Sequence, residues 1–471
     1  MDLLEFLRDR RLLATVVACW ILWALCLALS TRQHLAETAE RDEAEQAART
    51  AWLEQGARNP HDAGHWGTYV FRSRDPLAIL DPGIEPAIGS WIRLETHAQH
   101  DADGRPLDTS TEEARWSSVH PTFVLATLVP LLLLILVHDR LCGEREDGRW
   151  QLLLASGLNR RRLVAGKIAG ASVMGAAVVV PMLATGIAAV LFFGERVDPL
   201  RLATWVGASL LHTSLWLLAG LSISAATATR ANAMLLCVAV WFFGAIALPR
   251  AAVSVAEFLE PSPSAWRFAR SVDELQNDRW TIPYKASSTF GDIYSQIEAE
   301  WMAREGVEDP EQLTIDPFGF AIEETEEQGQ RAYDETYGDL VRTFQRQDDV
   351  AKLIGFLSPA ANYSRLSSAL ARADLAAHQR FQIEAEAYRR EMMLTLNMAV
   401  AHRGREKLPA GGGRMDGTFE GDRSLWETVP PFRPNGLSTS EVLVKNRSLV
   451  LGLLVQAVAL LVLAYVLVRE S

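Results

Sequence analysis

Histidines in the first polar stretch of the chain have the residue type and spacing that could bind a metal ion. His61 and His65 lie four positions apart, and His97 and His100 lie three apart, with several aspartates nearby. A metal site needs three or four such groups to converge on one point. Because solvent-facing or hydrogen-bonded histidines are the commoner outcome, we predict no metal here.

Three common catalytic motifs are absent from the sequence. There is no Gly-x-x-x-x-Gly-Lys-Ser/Thr phosphate loop, since Gly166-Lys167 is followed by Ile168 and has no upstream glycine at the required spacing. The His-Glu-x-x-His and Gly-x-Ser-x-Gly motifs are also absent from the sequence. We therefore predict that the chain is not an enzyme, has no catalytic residues and binds no cofactor itself.

Charge and cysteine content exclude two further classes of site. The 471 residues carry a formal net charge of -12, whereas a nucleic-acid partner requires a basic face. Three of the four cysteines lie in apolar runs, and Cys142 follows one. We expect all four cysteines to serve only in packing, because free cysteine is among the residues most often buried.

The residues at 138–167 combine charge and apolar character at a regular spacing. A charged turn comes first, a short apolar segment follows, and a basic helix start ends the stretch. Trp150, Leu153 and Leu154 lie at i, i+3 and i+4, so they share one helical face. A face of this kind at a membrane edge is buried against lipid headgroups or a partner protein. The alternative is a basic loop that holds the topology and meets anionic lipid.

Six apolar stretches of the sequence are candidate membrane spans, and the loop at 138–167 joins the second to the third. Each has or approaches the roughly 20 residues that cross a bilayer core of about 30 Å. The first is too long for the apolar region of a signal peptide and lacks a clear cleavage site. The predicted spans are residues 12–29, 121–137, 168–193, 202–225, 231–248 and 449–468.

Lys and Arg in the short loops predict the orientation, because such residues accumulate on the cytoplasmic side. The Arg-rich loop at 138–167 therefore lies inside, with both termini cytoplasmic in an inner (plasma) membrane. The predicted division of the chain is 1–30 (N-terminus and first span), 31–120 (first extracytoplasmic region), 121–249 (spans two to five with the loop 138–167), 250–446 (second extracytoplasmic domain) and 447–471 (sixth span and tail).

Local patterns predict the structure of the two extracytoplasmic regions. Residues 33–55 should continue the first span as a helix, and short β-prone pieces occur near 69–71 and 91–94. Ser358 and Asp374 are suitable helix N-caps. A core-facing stripe should follow the second cap at Ala377, Phe381, Ala385, Tyr388 and Met392.

The loop at 138–167 resembles the coupling segment of the type 2 ABC exporter permeases. In that family a Glu-Arg-Glu-x-Gly turn, a Leu-rich segment, a small residue, a further turn, an Arg and a Gly-Lys join the second and third spans. This chain departs from the family in having Arg149 where Thr is usual. The matching residues are Glu144, Arg145, Glu146, Gly148, Leu152, Leu153, Leu154, Ser156, Arg160, Gly166 and Lys167.

Shorter matches resemble a subfamily with enlarged extracytoplasmic loops. They recur through both outer regions, so the resemblance spans most of the chain. The matching positions are 59–61, 67–71, 80–83, Trp241, 248–250, 357–359, His378, Phe381 and 386–389.

The resemblance implies a mainly α fold, with a six-helix transmembrane domain and a mostly helical extracytoplasmic domain built from two insertions. It implies the permease subunit of an ABC exporter, which meets membrane lipid and pairs with a second permease subunit as a homodimer or heterodimer. A separate ABC ATPase subunit would bind ATP and Mg²⁺. Two alternatives stay open: a mechanotransmission subunit that acts on an envelope partner, and a membrane-anchored scaffold without an ATPase.

The resemblance also assigns roles in the loop. Docking on the ATPase implies charged contacts from Glu144, Arg145 and Glu146, and an apolar anchor from Leu152, Leu153 and Leu154. The full set expected to couple to the ATPase is Glu144, Arg145, Glu146, Gly148, Leu152, Leu153, Leu154, Arg160 and Lys167.

Overall fold

The computed structural model describes residues 10–105, 119–271, 290–403 and 419–470, together with residue 274. Within these residues the chain is mostly helical and contains one two-stranded antiparallel sheet, which confirms the mainly α fold.

The elements follow in chain order. The first are α1 (Arg10–Leu53), α2 (Pro60–Trp66), β1 (Thr68–Phe71), β2 (Trp91–Leu94), α3 (Pro121–Phe123, a π-helical turn Val124–Leu128 and Val129–Val137), α4 (Cys142–Glu146), α5 (Arg149–Ala155), α6 (Arg160–Phe193) and α7 (Pro199–Ala226). The rest are α8 (Arg230–Trp241, a π-helical turn Phe242–Ala247 and Leu248–Leu259), α9 (Phe290–Glu305), α10 (Pro317–Gly355), α11 (Pro359–Leu370), α12 (Leu375–Arg403), α13 (Arg423–Thr428), α14 (Thr439–Lys445) and α15 (Arg447–Glu470).

Six of the described helices are long and apolar enough to cross a membrane, which confirms the number of predicted spans. They are α1, α3, α6, α7, α8 and α15. The apolar stretches of α3 and α7 are mostly buried within the chain, whereas those of α1, α8 and α15 leave most of their surface uncovered. The second and fourth spans therefore form the centre of the bundle, and the first, fifth and sixth lie at its edge.

Helix α1 continues well beyond the length that a membrane requires. Its 44 residues correspond to about 66 Å, against a bilayer core of about 30 Å. The continuation predicted from the sequence is thus present, and one unbroken helix joins the first span to the polar part of the molecule.

The polar regions that follow the first and fifth spans share one hydrophobic core. We call the described parts of residues 33–105, 290–355 and 374–436 the insertion domain. Trp52 and Val70 from the first region pack with Phe381, Met392 and Trp426 from the second. The Trp52 indole donates a hydrogen bond to the Trp426 carbonyl at 3.0 Å.

Sequence predictions within the insertion domain are confirmed. Strands β1 and β2 occupy the β-prone pieces. Asp374 accepts a 3.0 Å hydrogen bond from the Ala377 backbone and so caps α12. From the predicted stripe, Phe381, Ala385 and Met392 are buried, while Ala377 and Tyr388 are half-buried.

Helix α11 belongs to the second polar region but packs among the apolar helices. Its Tyr363 hydroxyl lies 2.8 Å from the Ser209 hydroxyl of α7, and the ring stacks on His212 at 4.5 Å. Its Ser367 accepts a 2.8 Å hydrogen bond from the Trp205 indole. Trp205 and His212 are seven residues apart on α7, so α11 follows about 10 Å of that helix.

Arg201, near the start of α7, joins segments that are far apart in the sequence. Only 1% of the residue is exposed. Its guanidinium donates to Asp75 at 3.0 Å, to the Leu437 carbonyl at 2.8 Å and to the Thr439 hydroxyl at 3.1 Å. A weaker contact reaches the Leu370 carbonyl at 3.4 Å. One side chain thus holds both polar regions against the bundle.

We expect Arg201→Met to destabilise the chain by about 3–5 kcal/mol, because Asp75 then stays buried without its closest cation. Thermal unfolding of the detergent-solubilised chain measures the loss. Arg331→Met is the control, since Arg331 pairs with Glu327 on the surface, where an ion pair contributes less than about 1 kcal/mol. Equal effects of the two substitutions would contradict this role of Arg201.

Candidate functional site

The segment between the second and third spans folds as two short helices, α4 and α5. Gly148 lies between them with φ of 73°, a left-handed conformation that favours glycine. Gly157, with φ of 85°, separates α5 from the start of α6 at Arg160. The charged turn, the short apolar segment and the basic helix start therefore follow the predicted order. We call residues 138–167 the loop segment.

Arg145 attaches the loop segment to the end of the fourth span. Its Nη2 atom donates hydrogen bonds to the carbonyls of Ser224 and Ala225, each at 2.7 Å, and to that of Thr227 at 2.9 Å. These are carbonyls at the C-terminal end of α7, where the helix leaves its acceptors unsatisfied. A cation at this end also interacts favourably with the helix dipole.

Ser224 of α7 accepts hydrogen bonds from the start of α4, so here the loop segment supplies backbone donors to α7. Its hydroxyl accepts hydrogen bonds from the backbone of Leu141 at 3.0 Å and of Cys142 at 3.2 Å. Ser224 thereby satisfies backbone donors at the start of α4, which need partners outside the helix. Sequence reasoning missed this residue, because a serine inside an apolar span carries no local signal for such a contact.

Glu144 and Lys167 join α4 to α6, the helix that continues as the third span. The Glu144 carboxylate and the Lys167 ammonium form an ion pair, and the two side chains are 12% and 9% exposed. Lys167 lies on α6, two turns after its start. Because both groups are largely removed from water, screening by salt weakens the pair less than it would a surface pair.

Arg230, the first residue of α8, connects the loop segment to the fifth span. Its backbone donates to Glu146 at 3.0 Å, and its guanidinium donates to Asp147 at 2.6 Å. The hydrogen bond from Arg230 holds the pKa of the exposed Asp147 carboxyl below its usual value. The only sequence signal for this contact was the presence of an arginine in the short turn between the fourth and fifth spans.

The apolar side chains of α5 divide between the interior and the surface. Trp150 is 4% exposed and packs with Leu141 and Val164, and Leu154 lies partly buried against the same cluster. Leu153 is half-buried, and Leu152 is 70% exposed. Within the predicted anchor, Leu152 therefore presents the largest apolar surface to a partner.

The structure thus separates the predicted coupling residues into two groups. Glu144, Arg145 and Lys167 make contacts inside the chain, while Glu146 lies at the surface beside Arg230. Among the remaining positions, Gly148 provides the bend, Arg160 begins α6, and the leucines of α5 extend to the surface. Whether these residues couple to an ATPase stays a prediction.

A metal could bind elsewhere, in the insertion domain. Among the described residues, His61, His65 and His97 offer ligand atoms within 4.8 Å of one another. The convergence that a metal site requires is therefore met by three histidines, and the absence of a metal stays a prediction.

Comparison with known proteins agrees with the resemblance seen in the sequence. A family model described as "ABC-2 family transporter protein" matches residues 1–469, almost the whole chain. No curated protein matches the chain.

We expect Arg145→Lys to loosen the loop segment, because the lysine side chain is one atom shorter and places its ammonium short of the three carbonyls that Arg145 Nη2 bonds. Hydrogen exchange of residues 142–155 should accelerate several-fold, while exchange in α7 stays slow. Arg149→Lys is the control, since Arg149 pairs with Asp147 at the surface. Unchanged protection in the Arg145 variant would show that these hydrogen bonds do not hold the loop segment.

Proposed function

The chain belongs to the ABC-2 transporter family and is a membrane permease subunit of an ABC system, and from this premise we propose that it couples ATP hydrolysis by a separate subunit to substrate export. Members of the family normally pair with an ABC ATPase subunit. The geometry of the loop segment carries the proposal, because it combines an exposed apolar residue with direct bonds to three spans.

The proposed coupling is a rigid-body displacement. Closure of the ATPase pair would push on Leu152 and the exposed part of α5. Arg145 would pass this displacement to α7, Glu144 to α6 through Lys167, and Glu146 to α8 through Arg230. Packed helices respond to such a load by shifting or tilting as units. In this proposal Glu144 and Arg145 transmit movement within the permease, and Leu152 makes the principal contact with the ATPase.

The remaining partners follow from the same proposal. ATP and Mg²⁺ would bind to the ATPase subunit, and the loop segment and both termini would face the cytoplasm. A second permease subunit, identical or different, would complete the transport path. The uncovered apolar surfaces of α1, α8 and α15 are available to that subunit and to membrane lipid.

A groove between the first and third spans supports the export of an amphipathic substrate. Its volume is about 790 Å³, and its lining is mostly apolar. Trp20, Leu27 and Phe193 contribute to the apolar lining, while Thr31 and Arg32 add polar groups. Ligand sites commonly combine an apolar lining with a few polar groups. A molecule with an acyl chain and a polar head matches this composition.

The contact with the ATPase is tested by Leu152→Asp. The full chain is affinity-purified, and the associated subunit is identified by a phosphate loop in its sequence. We expect Leu152→Asp to reduce association at least tenfold and to abolish stimulation of ATP hydrolysis, because a carboxylate at a desolvated contact is costly.

Ile383→Asp is the matched control, because Ile383 is an aliphatic residue with 62% exposure in the insertion domain. It should leave association and stimulation intact. The coupling proposal fails if no ATPase associates with the wild-type chain, or if Leu152→Asp behaves like the control.

Mechanotransmission is the second candidate, and the continuity of the helices favours it. Helix α1 runs unbroken from the first span into the insertion domain. The fifth span also extends outward, where Ala252 and Ala256 pack against Ala351 of α10. Movement of the spans would therefore reach the insertion domain even if no substrate crossed the membrane.

Reconstitution in liposomes with the ATPase and a fluorescent phospholipid distinguishes the candidates. Export predicts ATP-dependent translocation of the probe, reduced by Ala28→Trp, which fills the groove, and unchanged by Leu25→Trp, which lies on the same helix outside the lining. Mechanotransmission predicts no translocation. It predicts instead an ATP-dependent change in hydrogen exchange of the insertion domain, abolished by the helix-breaking Ala47→Pro.

A further inference from the structure

Three histidines of the insertion domain form a compact cluster that the proposed function does not use. His61 and His65 lie one helical turn apart on α2, and His97 lies in the loop after β2. Their ring centroids are 4.7, 5.1 and 5.4 Å apart. The three rings meet edge to face, and His65 is the exposed member of the cluster.

These separations match a known coordination geometry. Three imidazoles around a tetrahedral zinc, with Zn–N of about 2.0–2.1 Å, have ring centroids about 5.2 Å apart and ligand nitrogens about 3.3 Å apart. The centroids already have this spacing, and the candidate ligand atoms lie within 4.8 Å of one another. Small rotations of the rings therefore suffice to bring the nitrogens to one ion.

His97 is held by groups outside the cluster. Its Nδ1 atom lies 2.6 Å from a Glu326 carboxylate oxygen, and its backbone N–H donates to the same oxygen at 2.6 Å. Arg389 in turn donates to Glu326 at 3.0 Å, and both of these side chains are buried. A carboxylate that fixes the orientation and tautomer of a histidine is the usual support of a metal ligand.

His61 is available as a neutral ligand. Its Nδ1 atom is buried and has no hydrogen-bond partner among the described residues. Metal coordination requires a free nitrogen lone pair, and this buried Nδ1 atom can supply one.

We propose that His61, His65 and His97 bind one divalent cation of the zinc class, with a fourth position left to water or an external ligand. Imidazole ligands suit Zn²⁺, Cu²⁺ and Ni²⁺, whereas Mg²⁺ and Ca²⁺ prefer oxygen. The site goes beyond the transport function, and it joins α2 to the loop after β2 and, through Glu326, to α10.

Zinc titration of the chelator-treated full chain, purified in detergent without a polyhistidine tag, tests the site. We expect one equivalent to bind tightly. His65→Ala removes an exposed ligand, and His97→Asn keeps a residue type that tolerates the positive φ at this position. Each should weaken zinc binding at least about tenfold, comparable to losses when a metal site is perturbed. His100→Ala is the matched control, since His100 pairs with Glu95 and lies outside the cluster.

The proposal is overturned if the wild-type chain binds no stoichiometric zinc, or if the His65→Ala, His97→Asn double variant binds as the wild type does, which would mean an adventitious ion only. X-ray absorption of the zinc-loaded chain provides a second measurement, with three imidazole nitrogens expected at about 2.0–2.1 Å. A shell of oxygen ligands would contradict the site.

Glu326 acts as a positioning residue, so Glu326→Gln should weaken zinc binding about 10–100-fold without changing its stoichiometry. Glu327→Gln is the control, because Glu327 is the next residue on α10 and pairs with Arg331 at the surface, away from the three histidines. Equal zinc affinity in the two variants would remove Glu326 from the site.

Discussion

The structure depends on the burial of one guanidinium where the bundle meets the insertion domain. Arg201 is almost fully withdrawn from water, and its donors are matched to acceptors from widely separated parts of the chain. A buried charge is tolerated only when such partners are in place. Both polar regions must therefore be folded against α7 before this end of the bundle is stable, and this requirement couples the assembly of the two parts.

A second arginine acts at the opposite end of the same helix. Arg145 donates hydrogen bonds to the last carbonyls of α7, and Arg201 lies in the first turn of that helix. The mostly buried fourth span therefore lies between two clusters of polar contacts, one to the loop segment and one to the insertion domain. Under the proposed function, α7 is a single helix through which movement of the loop segment could reach the other side of the membrane.

Much of the fold followed from local patterns in the sequence. The spans were found from hydropathy, and the caps at Ser358 and Asp374 from residue type. The burial of α11 among the spans could not be found in this way, because Ser367 and Asn362 make that helix too polar for hydropathy to detect. It is stable there because its hydroxyl groups bond α7 and because Tyr363, Leu366 and Leu370 pack in the core of the bundle.

The site shows the same division between local and long-range information. The order of residues from Glu144 to Lys167 indicated the loop segment, but nothing in that order showed that Glu144 and Lys167 would pair with each other. Likewise, the packing of α2 against the strands brings His61 and His97 together. The spacing of the histidines along the sequence does not predict this contact. Contacts between distant residues depend on the tertiary fold, and single-sequence patterns do not encode them separately.

The π-helical turns in the second and fifth spans have a consequence for the register of those helices. Each turn accommodates an extra residue, and the carbonyls it releases are bonded by side chains: Trp241 donates to Thr127 at 2.7 Å, and Ser358 donates to Gly244. Moving such a turn along its helix displaces the residues it passes by about 1.5 Å and rotates them by about 100° about the axis. Because the Trp241 and Ser358 side chains bond the released carbonyls, they hold the two π-helical turns in place and thereby fix which faces of the two spans meet their neighbours.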